Sequence, residues 1–219
     1  MFDLLRIRLR QGLRTTTFPA GAPALPARYR GRPVDRDAGA CLFSPEEATY
    51  TGDYRMATTT REALRTTDGE MELAHALAEH TRRLFGRSLR LRSVVAGSCG
   101  GCEAELVALG NVVFDLARFG VQFVASPRHA DGIVVTGAVS TNMTAALQKT
   151  YDAVPNPKIV IAVGACAITG GPFRGSPEVA GGVGDMLPVD LWVPGCPPHP
   201  YTVLDGVLRL LGALEGMRT

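Results

Sequence analysis

Two cysteines three positions apart carry the first chemical signal in this chain. Cys99 and Cys102 lie in "GSCGGCEAEL", residues 97–106, among glycines and just ahead of two glutamates. Such a pair supplies half of a four-thiolate site. Two single cysteines complete it: Cys166 in "GACAITGGPF" and Cys196 in "PGCPPHP". Four thiolates bind either zinc or an iron–sulfur cluster. Zinc ribbons usually supply two tight pairs, whereas here one pair is tight and two ligands are single. Glycines let main-chain N–H groups approach a bulky anionic cluster, and proline after a ligand cysteine recurs in bacterial ferredoxin runs. The spacing favours a [4Fe–4S] cluster and leaves zinc open. Cys41, in "GACLFSPEEA", stands apart and reads as a structural or unligated thiol.

These cysteines need elements to bring them together. From residue 89, strand-like runs alternate with helical ones. "LRLRSVVAG", "VQFVAS", "GIVVTG", "KIVIAVG" and "DLWVPG" read as strands. Residues 103–119, "TNMTAALQKTYDAV" and "YTVLDGVLRLLGALEG" read as helices. That alternation predicts βαβ units and a mostly parallel sheet, its central strands apolar on both faces. All four cysteines then follow the carboxyl end of a strand. In an open parallel sheet those ends share one edge, where ligands bind.

Ahead of this domain the pattern differs. Residues 2–14 predict a short basic helix, with Phe2, Leu5, Leu9 and Leu13 on one stripe and Arg6, Arg10 and Arg14 beside it. It is suited to a membrane surface, a membrane subunit or its own domain. Residues 15–60, rich in Pro, Gly, Thr and Arg, predict an extended arm that wraps a partner. Residues 70–86 predict a helix with Leu73, Leu77 and Leu84 on one face. The expected division is an arm over residues 1–68 and an α/β domain with a leading helix over 69–219.

The 219 residues carry a formal net charge of +2, which argues against a nucleic-acid binder. Arginines crowd the first 90 residues, and the two lysines are Lys149 and Lys158, so the amino-terminal part is basic. "MFDLLRIRLRQGLRTTTFP" lacks the uninterrupted apolar stretch of a signal peptide, and no run reaches transmembrane length. The expectation is a cytosolic chain with reduced thiols, in which a cysteine cluster binds metal.

Four segments together resemble a known family: "GSCGGCE", "SPRHADGIVVTG", "NPKIVIAVGACAITGG" and "PVDLWVPGCPPHP". Over roughly residues 88–212 the chain is similar to the small subunit of membrane-associated, energy-converting [NiFe] hydrogenases of the formate hydrogenlyase type, and to the related B-type subunit of respiratory complex I. The resemblance implies a flavodoxin-like, doubly wound α/β fold. It implies one proximal [4Fe–4S] cluster on Cys99, Cys102, Cys166 and Cys196, relaying electrons to or from a nickel–iron large subunit. Other iron–sulfur subunits and membrane-arm subunits are the further partners implied, with the chain peripheral on the cytoplasmic side of the inner membrane. The complex I relative typically has adjacent cysteines in the first motif; here Gly100 and Gly101 intervene, the hydrogenase spacing. The alternatives are the cluster carrier of a quinone-reducing complex and a scaffold held by structural zinc. The arm, through "FPAGAPALPARYRGRPVDRDAGACLF", resembles the lead-in of ferredoxin-like subunits, as a degenerate segment without clusters.

Other residues carry weaker expectations. Glu103 and Glu105 suit a helix start, and because Glu105 falls where the resembled family commonly has an acid, the resemblance makes it the candidate for proton movement near the cluster. Arg128 and His129 are candidates for donors to the cluster or contacts to the large subunit. His199 is expected at the cluster loop or in plain loop packing, Asp131 as a loop orienter, and Trp192 in core or interface.

Overall fold

The computed structural model describes residues 2–21, 23–40, 48–79, 83, 85 and 88–214. Five parallel strands form its centre: β1 (Leu89–Val95), β2 (Val121–Phe123), β3 (Gly132–Thr136), β5 (Ile159–Val163) and β7 (Leu191–Val193). Their order is β2-β1-β3-β5-β7. This is the flavodoxin order of an open, doubly wound sheet. A short antiparallel pair, β4 (Val139–Ser140) with β6 (Val179–Gly181), lies outside it.

The period of two along each strand builds two cores. Val94, Val135, Ala162 and Trp192 are paired in register across β1, β3, β5 and β7. All four fall in one buried cluster, with Leu147 of α3 (Thr141–Ala153) and Ile168 of α4 (Ala165–Thr169). Val134, Ile161 and Leu191 point to the other cluster, with Leu106 of α2 (Gly101–Ala108) and Leu204 of α5 (Pro200–Leu210). Every residue of β3 and β5 is buried, as strands covered on both faces must be.

Two predicted helices depart most from the expectation. The one over 103–119 ends at Ala108, and the chain then turns into a 3-10 segment, Leu116–Phe119. Asn111 breaks the run: its side chain accepts from the amides of Val113 and Phe114, a local bond that competes with the helix ladder. Residues 71–78, predicted helical, have no regular structure; helix appears only at Glu79, Arg83 and Phe85 among the described residues of 70–86. The backbone there finds outside partners, with Ala74 N–H on Ala57 O and Leu77 N–H on Leu210 O.

The arm, expected to wrap a partner, wraps its own domain. Thr58 exchanges two main-chain hydrogen bonds with Trp192 of β7. Ala57 and Leu64 are fully buried, one in each core. Phe18 packs edge-on to Tyr54 and against Tyr201. The amino-terminal helix α1 (Phe2–Gln11) does form, and its described side chains, Asp3 to Gln11, are all exposed, so it does not pack on its own domain. Among the described residues no helix is long and apolar enough to cross a membrane.

Candidate metal centre

Three loops at the carboxyl edge of the sheet carry the four thiols. β1 leads into Ser98, Cys99 and the start of α2, which holds Cys102; β5 leads into α4, which holds Cys166; β7 leads into Cys196. Hydrogen bonds tie the second and third loops directly, from Gly164 N–H to Val193 O and Ala165 N–H to Gly195 O, each 2.8 Å. The first loop meets them through α2. A methyl group on Gly101 would stand 3.7 Å from Pro197, and one on Gly164 would stand 2.5 Å from Cys102 Sγ. Gly164 also has φ +91°, a backbone that disfavours side chains. Glycine is therefore required where β5 hands over to α4, because Cys102 occupies the space.

Cys99 is exposed, and Cys102, Cys166 and Cys196 are half-buried. Burial, then the Glu103 charge and the other three thiols, push the Cys102 thiol up to about 12. A thiol held so high stays protonated until a bound cation supplies the compensating charge. The donor set, four thiols on three loops with glycine at the closest approach, fits an iron–sulfur cluster. Among the described residues, no three His, Cys, Asp or Glu side chains group closely enough for one metal ion.

Glu103 is fixed in place. Ser98 and Thr136 donate their hydroxyls to its two carboxylate oxygens. Burial raises its carboxyl, but these bonds outweigh that and leave it below the ordinary range. Ser98 also accepts from Gly100 N–H at 2.9 Å, so one hydroxyl orders the Cys99 loop and the start of α2. Neither Ser98 nor Thr136 is among the residues expected from the sequence. A signal exists for Thr136, the polar residue that ends the otherwise apolar run of β3.

Glu105, two residues further on, faces a cavity, and burial raises its carboxyl. His199 is both cap and packing residue. Its Nδ1 accepts from Tyr201 N–H at the start of α5, and its ring stacks on Tyr201 at 5.2 Å. Burial lowers its pKa. Arg128 and His129 do not reach the cysteines. They are exposed in a 3-10 turn that precedes β3, at the opposite edge of the sheet. Asp131 does orient that end, accepting from Arg90 N–H at 2.7 Å. Trp192 is 7% exposed and belongs to the core. Cys41 lies outside the described residues.

Known proteins share this architecture. Residues 99–210 match the family of the NADH ubiquinone oxidoreductase 20 kDa subunit. The probable membrane-bound hydrogenase subunit mbhJ of Pyrococcus furiosus is 43% identical over 62% of this chain and 81% of its own length. Formate hydrogenlyase subunit 7 of Escherichia coli is 43% identical over 60% of this chain and 51% of its own length. The B-type subunit of the NADH-quinone oxidoreductase of Heliobacterium modesticaldum is 47% identical over 52% and 66%. Among solved structures, a chain of the membrane-bound sulfane sulfur reductase, an archaeal respiratory membrane complex, superposes with a TM-score of 0.54 at 31% identity, over 65% of this chain and 78% of that one.

Proposed function

Since the chain belongs to the NADH ubiquinone oxidoreductase 20 kDa subunit family, whose members here are subunits of hydrogenase and quinone oxidoreductase complexes, we propose that it is the electron-relay subunit of a membrane-associated [NiFe] hydrogenase. In this reading Cys99, Cys102, Cys166 and Cys196 hold one [4Fe–4S] cluster, which when bound exchanges single electrons with a nickel–iron centre in a separate large subunit. Residues 69–219 form the cluster domain and 1–68 its arm. The chain sits peripherally on the cytoplasmic side of the membrane, beside membrane-arm and other iron–sulfur subunits.

What supports this reading is the position of the four cysteines on three loops at one edge of the sheet, with Cys102 Sγ against Gly164 where β5 hands over to α4. The chain's own residues set the surroundings. Ser98 and Thr136 hold Glu103 beside the ligands. Pro197 and Pro198 give the Cys196 loop an apolar wall. Glu105 supplies a carboxyl on the α2 side as the candidate proton carrier. Chain and large subunit act together; neither a nucleophile nor a general base is assigned to this chain.

Anaerobic purification of the complex tests this directly. About four iron atoms per chain and a reduced-state [4Fe–4S] resonance are expected; stoichiometric zinc without iron overturns it. Sequencing the co-purified large subunit decides its branch. Two CxxC pairs there support nickel–iron, and their absence supports the second reading, a cluster carrier of a quinone-reducing complex, which the 47% identity to a quinone oxidoreductase subunit favours.

A further inference from the structure

A cavity of about 310 Å³ lies where the arm meets the cluster loop. Arm residues Arg28, Tyr29, Arg30 and Tyr50 form one side, and Cys196 and Pro198 form part of the other. Its size is that of a binding pocket rather than a packing defect. Its position brings an occupant beside one of the four cysteines.

The charges in this cavity do not balance. Arg28, Arg30 and Arg36 line it, against Asp37 and Glu105. Asp37 is already held by Arg61, with contacts of 2.6 and 3.0 Å. Arg28 and Arg30 are exposed, and neither has an ion pair among the described residues. Arg30 instead lies over the Tyr50 ring, 5.7 Å from its centroid. Glu105, half-buried on the α2 wall, offsets one of the arginines. Apolar residues share the lining with the arginines, among them Met56, Pro197 and Pro198.

Arginine, tyrosine and methionine are the residue types enriched at the centres of protein interfaces, and lysine, depleted there, is absent from this lining. Arginine at such a place pairs with carboxylates in a fixed geometry. We propose that the cavity is a docking socket for an acidic segment of a partner polypeptide, seated on Arg28 and Arg30 next to Cys196. The proposal rests on the relay reading above, since a relay with one cluster needs an approach for each of two electron-exchanging partners. The socket, beside Cys196, marks one of these approaches. A polypeptide is favoured over a free anion because aromatic and apolar walls surround the arginines and would cover the stem of an acidic side chain.

The test uses the assembled complex. Arg28 is replaced by the photo-crosslinker p-benzoylphenylalanine, and crosslinked peptides are identified by mass spectrometry. A peptide rich in Asp and Glu from another subunit is expected. In parallel, the double variant Arg28→Glu and Arg30→Glu should weaken retention of that subunit roughly tenfold or more in affinity, read as dissociation at lower salt, while iron per chain stays unchanged. Crosslinks to lipid, to a neutral or basic segment, or only within this chain overturn the proposal. So does a small anion found at the site by native mass spectrometry, or retention of the partner in the double variant. Iron content separates the two readings. Full iron with no acidic crosslink removes the socket alone; a chain without iron removes the relay and the socket with it.

Discussion

The sheet domain and the arm are stabilised in different ways. In the domain, β3 and β5 bury every side chain and both feed two cores. In the arm, single anchors such as Phe18, Ala57 and Leu64 are buried, and the intervening chain is held by isolated bridges and by ion pairs such as Arg32–Asp53 and Arg61–Asp37. Apolar burial scales with area and tolerates acid and salt, whereas partly exposed ion pairs contribute little and respond to both. The difference assigns stability to the domain and adjustability to the arm, although the arm forms one wall of the cavity beside Cys196.

The comparison breaks most sharply at the cluster edge. Gly164→Val puts a branched side chain where Cys102 Sγ already stands. Iron retention should fall to near zero while the far-ultraviolet dichroism of the sheet persists. Retained iron would mean that Cys102 is not a ligand. Next in size, Ile161→Ala should cost roughly 2–5 kcal/mol in equilibrium unfolding, because a fully buried strand residue leaves a cavity.

Ala57→Leu tests the seam between the two regions. A methyl group on Gly206 of α5 would already stand 2.5 Å from Ala57 Cβ, so the larger side chain has no room. A loss of about 1–3 kcal/mol is expected, with faster proteolysis of the arm than of the domain.

A pH series should separate the regions more gently. Burial raises the Asp53 carboxyl, but hydrogen bonds and charge from Arg55, with Arg32 behind them, leave it below its ordinary value. A depressed carboxylate stabilises the fold above its unfolded value and loses that contribution as pH falls through the folded one. Amide exchange at Arg32 and Thr51, whose hydrogen bonds flank Asp53, should therefore quicken below about pH 4 before exchange in β3 does. Asp53→Asn should flatten that dependence. The smallest effect belongs to Arg61→Ala. The pair with Asp37 is 32% and 37% exposed, so about 1 kcal/mol or less is expected.

The same contrast explains what the sequence disclosed. "GIVVTG" and "KIVIAVG" are legible as strands because burial on both faces demands unbroken apolar runs. Their carboxyl ends locate Cys166 and, by the same rule, Cys99, Cys102 and Cys196. The helix expected over 103–119 overruns its true end because the Asn111 side-chain bonds that stop it leave no mark on apolar periodicity. The arm's course is not legible because its partners are distant in sequence: Thr58 bonds Trp192, and Tyr29 contacts Thr202 and His199. The Ser98–Glu103–Thr136 bridge joins the loop and helix that follow β1 to the end of β3, which local pattern cannot connect.

The Thr58–Trp192 pairing also affects solubility. β7 is the last strand of the sheet, and an outermost strand with bare amides and carbonyls is a template for stacking against another copy. Thr58 occupies part of that ladder. Being amino-terminal to β7, it leaves the ribosome first, so the cover exists before the strand it shields has been made.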